Sequence, residues 1–160
     1  MFREYKNKDG LCVLVPDKIF DDVKRYIVNH YPNECGGVFV GKIEGDTATI
    51  EKMMVPQRFR STPLFFTRIA DFINKWLVRV FKQSNGETIY LGEWHSHPNG
   101  RPYASTTDFN SMRKIAANTD VRIETPLLLI VGYNGSLFEE RFYIYHNQKL
   151  IPYEKKEGTR

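Results

Sequence analysis

Two histidines separated by one residue are the first chemical feature of this chain. In the stretch GEWHSHPNGRPYASTTD, residues 92–108, His95 and His97 are followed by a loop bracketed by Pro98 and Pro102, then by Ser105 and Asp108. A strand turns successive side chains to opposite faces, so His95 and His97 point one way while Trp94 and Ser96 point the other. Two imidazoles then converge on one point. They could share a Zn²⁺ at about 2.0–2.1 Å each, with a carboxylate as the third protein ligand of an open, catalytic site. Asp108 is the nearest carboxylate that a returning loop could bring back.

The same residues also admit a purely structural account. Ser105 and Asp108 fit the capping pattern in which a serine closes a helix N-terminus and an acidic residue three positions on reaches back. Paired histidines on a strand are often just polar residues on a solvated face. The metal reading gains from the Pro-bracketed loop at Gly100, which can fold the cap back over the strand end. Catalytic zinc also needs a group to take the proton from its bound water, whose pKa the metal lowers to about 7. Glu34, Glu93 and Glu124 are available, and spacing does not choose among them.

The elements that must position these groups can be read from periodicity. Residues 11–15 form a strand stopped by Pro16, and Ile19, Phe20, Val23, Tyr26 and Ile27 recur at helical spacing before Pro32, which delivers the chain to Glu34. ECGGVFVGKIEGDTATIEKMMV reads as two strands around a turn at residues 44–46, with Gly36 and Gly37 permitting close backbone packing. Phe65, Phe66, Ile69, Phe72, Ile73, Trp76, Leu77, Val80 and Phe81 trace a wide apolar helical face. TIYLGEWHSH is a strand, STTDFNSMRKIAAN a helix, and PLLLIVGYNGSLFEERFYIY a strand, an Asn-Gly turn and a second strand. Strands interspersed with three helices predict an α/β sandwich around a mixed sheet.

Composition sets the wider limits. A chain of 160 residues with 41% hydrophobic and 14% aromatic residues has enough apolar material for one globular core, and no apolar run is long enough to span a membrane. The start MFREYKNKDGLCVLV puts charges where a secretory signal has its apolar stretch, so the cytoplasm is the expected compartment. Cys12 and Cys35 are then expected as free thiols. A net charge of +4 is spread along the chain without a basic helix, which gives no support for a nucleic-acid partner. The mixed-sign run YEKKEGTR reads as a solvated tail.

Taken together, His95-Ser96-His97, seven residues, Ser105, two residues and Asp108, with Glu34 upstream in NECGGVFVG, resembles the JAMM motif of the JAB/MPN/Mov34 metalloprotease family. The resemblance covers residues 11–145, and Ala104 departs from it where many members carry proline. It implies a JAB/MPN fold, similar to that of cytidine deaminases: a three-layer-like sandwich of a mixed β-sheet with flanking helices. One domain would span residues 1–152, with a charged tail at 153–160. The resemblance further implies that His95, His97 and Asp108 ligate one Zn²⁺, that Glu34 is general base and proton shuttle, and that Ser105 stabilises the carbonyl oxygen. Its implied substrate is a protein with an extended C-terminal tail joined to a target by an amide bond. That protein is a ubiquitin-like modifier in much of the family. In the bacterial branch encoded in anti-phage operons of the CBASS type, which this short chain resembles more closely, it is a conjugated nucleotidyltransferase.

Other readings compete. A zinc deaminase would need H-x-E and P-C-x-x-C signatures, which are missing. Metal-free MPN scaffolds usually lack members of the motif, whereas all five positions are filled here. A RadC-like, DNA-associated protein shares the His-x-His-Pro loop type but would be expected to show a basic helix or a further domain. Cys35 beside Glu34 reads as a small buried thiol, and His30 and His146 have no second ligand at useful spacing. Trp94 and Tyr103 flank the motif as candidates for substrate contact or for core packing.

Overall fold

The computed structural model describes residues 1–55, 74–118 and 123–156. Nine strands form one sheet: β1 (Phe2–Lys6), β2 (Cys12–Pro16), β3 (Gly36–Glu44), β4 (Thr47–Met54), β5 (Ile89–Pro98), β6 (Leu127–Tyr133), β7 (Phe138–His146), β8 (Lys149–Pro152) and β9 (Glu154–Lys155). Among the described residues three helices accompany them: α1 (Asp17–His30), α2 (residues 74–83) and α3 (Thr106–Ala117). The strand order is β8-β7-β6-β5-β3-β4-β2-β1-β9. The β2–β4 and β5–β6 pairs are parallel and the others antiparallel, so the sheet is mixed, as the sequence predicts.

The sheet is rolled rather than flat. β8 at one edge runs through the single residue Tyr153 into β9 at the other, which pairs with β1 through Tyr5 and Lys6. Arg3 and Tyr5 reach across to Glu140 of β7, at 3.6 and 3.4 Å. Into the concave face packs α1, whose Ile19, Phe20, Val23 and Ile27 join Val13, Phe39, Leu91, Trp94, Leu129 and Phe142 in the main core. Its apolar spacing of three and four residues is what turns these four side chains to one face. Tyr26, expected on that face, is instead 39% exposed and stacks near His30.

The outer face carries α3 and α2. Met112 of α3 packs on Leu128, Ile130, Tyr143 and Tyr145, while Trp76 and Leu77 of α2 pack on Val38 and Tyr90. β6 is therefore covered on both sides, which explains why all seven of its residues are buried and why it lacks polar alternation. The apolar face expected for α2 holds at Trp76, Leu77 and Val80, but Phe81 lies at its margin and is 50% exposed. Phe65, Phe66, Ile69, Phe72 and Ile73 fall outside the described residues.

The turn at residues 44–46 forms with Gly45 at φ +60°, and the Asn-Gly turn with Gly135 at φ +94°, conformations that glycine adopts without a Cβ penalty. β1 and β8 were not among the expected strands. The expected tail at 153–160 starts too early, because Tyr153 is 5% exposed in the main core and Glu154–Lys155 form the closing strand. Among the described residues no helix is long and apolar enough to cross a membrane.

Candidate metal centre

The two histidines stand at the end of β5, and strand alternation sorts the motif as expected. Trp94 and Ser96, each 1% exposed, enter the concave core, while His95 and His97 emerge together on the outer face. Their Nε2 atoms are 3.2 Å apart. The loop after Pro98 brings α3 back so that Asp108 Oδ1 lies 3.1 Å from His95 Nε2 and Oδ2 lies 3.7 Å from His97 Nε2. Among the described residues these three form the only group of histidine, cysteine and carboxylate side chains disposed to hold a metal ion.

The spacing of the donors tests whether an ion would fit. A tetrahedral ion with bonds of about 2.0–2.1 Å sets its donor atoms about 3.3 Å apart. Separations of 3.1, 3.2 and 3.7 Å fit around one such ion. His97 is oriented for this by its other nitrogen, Nδ1, which lies 2.9 Å from the carbonyl oxygen of Arg101. A carbonyl can only accept, so Nδ1 carries the proton and Nε2 presents its lone pair.

The loop that carries that carbonyl needs a glycine beside it. On β6, Gly132 leaves room for the loop backbone, since a Cβ there would collide with the carbonyl oxygen of Gly100. On β3, Gly36 faces His95 in the antiparallel register, and a Cβ would press on the backbone of Trp94 and His95. Both glycines thus let neighbouring backbone approach the histidine strand closely.

Ser105 and Asp108 also form the helix cap that the sequence suggests. Ser105 Oγ accepts from the Asp108 N–H at 3.1 Å, and the Ser105 N–H donates to Asp108 Oδ2 at 2.8 Å, a reciprocal capping box. Burial alone would raise the Asp108 pKa. The His95 hydrogen bond and charge, with the bonds from Ser105, outweigh it and bring the carboxyl down to about 2. The structural and metal-binding readings of this segment therefore describe one arrangement.

Register separates the three candidate bases. Gly36 pairs with His95, and the Ser96 N–H donates to the Cys35 carbonyl at 2.8 Å, so the same alignment carried one step further sets Glu34 opposite His97. Directly opposed residues share a face. Glu34 is exposed, in the connection that leads into β3. Glu93 shares the face but lies two positions back along β5, where burial raises its pKa against the opposing pull of nearby His95. Glu124 precedes β6, at the opposite end of the strand from Ile130 and Gly132, the residues that align with the two histidines.

The remaining candidates fall into place. Cys12 and Cys35 are free, and burial pushes the Cys35 thiol up, which suits an inert core residue. Trp94 is core, whereas Tyr103 is 50% exposed with Arg101 and Arg141 over its ring at 5.1 and 5.4 Å. The carbonyl of Arg101 left no trace in the sequence reading, because a backbone acceptor has no side-chain signature.

Residues 16–144 match the family described as prokaryotic homologs of the JAB domain. The chain is 33% identical to a CD-NTase/cGAS isopeptidase of Vibrio cholerae over 135 residues, covering 80% of this chain and 81% of that protein. A CD-NTase/cGAS isopeptidase of Enterobacter hormaechei is 34% identical over 103 residues, a match that covers 62% of this chain and only 56% of that relative. In backbone shape, the solution structure of protein DSY2949 from Desulfitobacterium hafniense superposes with a TM-score of 0.53 over 89% of this chain and 88% of its own, at 17% identity. That last likeness concerns the fold.

Proposed function

Since the chain belongs to the family of prokaryotic JAB-domain homologues, we propose that it is a zinc-dependent isopeptidase that removes a conjugated protein from its target by hydrolysing the joining amide. The names of its relatives support a CD-NTase/cGAS-type protein as the conjugated partner, and its attachment through a C-terminal tail is part of the proposal. The observation that carries the reading is the convergence of His95, His97 and Asp108 at tetrahedral donor spacing.

Zn²⁺ held by His95, His97 and Asp108 would supply a Lewis acid for the amide carbonyl and lower the pKa of a bound water to about 7. The chain's own groups do the rest. Glu34 takes a proton from the attacking water and delivers it to the departing amine, so the amide yields a carboxylate and a free amine. The register of β3 on β5, continued past Gly36 and His95, supports that role. Ser105 Oγ accepts from Asp108 N–H, which leaves the hydroxyl proton free to donate to the carbonyl oxygen as negative charge develops there. The Arg101 carbonyl keeps the His97 proton on Nδ1 throughout.

The test uses a CD-NTase-type protein joined through its C-terminus to a carrier by an amide bond. The full-length chain should release it, a chelator should stop release, and Glu34→Gln should abolish it while zinc content stays unchanged. No cleavage by the zinc-loaded chain would favour a binding scaffold, and robust turnover by Glu34→Gln would remove that residue as the base.

A further inference from the structure

Glu34 sits in the short connection between α1 and β3, and that connection is tied at one end to β5 and at the other to Asn99, the residue that follows β5. Upstream, the Tyr31 hydroxyl donates to Asn99 Oδ1 at 2.6 Å, at the short end of the range for O–H···O bonds. The Tyr31 ring is itself confined. It stands edge-on to Tyr133 with centroids 5.0 Å apart and covers Gly135, where a Cβ would come within 3.4 Å of the ring. Asn99 is equally fixed, with its N–H donating to the Tyr133 carbonyl at 2.7 Å and a φ of +57° that asparagine tolerates better than most residues.

Downstream, Ser96 makes the second tie. Its hydroxyl accepts the Cys35 N–H at 3.0 Å, and its own N–H donates to the Cys35 carbonyl at 2.8 Å, in a position only 1% exposed. Ser96 immediately precedes His97 and Asn99 follows two residues later. Both ties therefore end beside the same ligand candidate, one on each side of it.

We propose that Tyr31, Asn99 and Ser96 are positioning residues for the amide hydrolysis: together they fix how far Glu34 stands from the metal centre. This rests on the assignment of Glu34 as the base. A displacement of about 1 Å in a reacting group can cost about 100-fold in rate, so a loop secured at one end only would be a poor proton carrier. Tyr31 and Asn99 offer the cleaner test, because their bond joins two side chains and neither is a candidate ligand.

The variants are Tyr31→Phe, Asn99→Gly, which accepts the positive φ, and Asn99→Asp, which keeps the acceptor. Hydrogen exchange at the amides of residues 33–36 of the full-length chain reads the tie directly, with or without zinc and with no substrate. Tyr31→Phe and Asn99→Gly should speed exchange at Cys35 by about tenfold, the scale of one lost hydrogen bond, and Asn99→Asp should restore it. With the fused CD-NTase-type substrate, the first two should lower kcat by about 10- to 100-fold with KM within about twofold and zinc content unchanged. Their combination should be no worse than either alone. Unchanged exchange in both variants overturns the proposal, as does faster exchange with unaltered kcat. If the wild-type chain cleaves nothing, the role of Glu34 falls and the positioning claim with it; unchanged exchange in an active enzyme overturns the tie and leaves Glu34 as base.

Discussion

Ser105 and Asp108 hold each other by two reciprocal hydrogen bonds, and the carboxylate oxygen that Ser105 leaves free, Oδ1, is the one nearer to His95. The cap therefore aims the carboxylate. Closing the helix N-terminus fixes the orientation of Asp108, so the energy of capping and the geometry of the proposed metal site are coupled through one side chain.

Ser105→Ala should have two separable effects. Loss of the cap should cost about 1 kcal/mol of stability in thermal or urea unfolding. Loss of the hydroxyl donor should lower kcat by about 10²- to 10³-fold. Ser105→Asp, which can cap a helix but brings no hydroxyl proton, should recover the stability without recovering turnover. Recovery of both would assign Ser105 to the cap alone.

His95→Ala and His97→Ala should each reduce zinc, measured by metal analysis of the purified chain, from stoichiometric to trace levels. Two ligands cannot hold the open three-ligand geometry of a catalytic site. Full retention by both variants would refute the ligand assignment.

Gly132→Ala places a methyl group against the Gly100 carbonyl and pushes away the loop that supplies the Arg101 acceptor to His97. Disturbing such a partner typically costs about 10- to 100-fold in metal affinity or activity. Competition with a chromophoric chelator should find zinc bound more weakly by that order, although no ligand has been altered. Unchanged affinity would mean that the Arg101 carbonyl does not orient His97.

Acid should remove a contribution that Asp108 makes to the metal-free protein. Its folded pKa of about 2 lies below the ordinary 3.8, so its ionisation stabilises the fold above pH 4 and the benefit fades as pH falls toward 2. Allowing for solvent screening at a partly exposed site, the contribution is about 1 kcal/mol. The stability gap between wild type and Asp108→Asn, both stripped of metal, should narrow from pH 5 to pH 2. A gap that stays constant or widens would contradict the assignment.

Much of the centre was legible because β5 is a regular strand. Its period of two sends His95 and His97 outward and buries Trp94 and Ser96, and the capping pattern placed Asp108 at a helix start. The choice among Glu34, Glu93 and Glu124 was not legible, since it depends on pairing between β3 and β5 over some sixty intervening residues. The tie between Tyr31 and Asn99 was hidden for the same reason, being a contact 68 positions apart in sequence. The edge strands were missed on different grounds. β9 is a charged dipeptide with both residues exposed, and edges are commonly charged to discourage pairing with other chains, so their sequence looks like a tail. Phe81 shows the limit of helical periodicity, which locates an apolar arc more securely than its margin.

The run from β8 through Tyr153 into β9 has a temporal consequence for synthesis. Tyr5 and Lys6 gain their outer neighbours only from Lys155 and Glu154, so β1 waits with one edge open until β9 has been made. Helix α1 and its apolar stripe must meanwhile be sheltered by an incomplete sheet. Pairings this distant slow folding, because the loop must be closed before the contact rewards it. The seam between the two ends is where a nascent or heat-stressed chain would be most open to invasion by another strand.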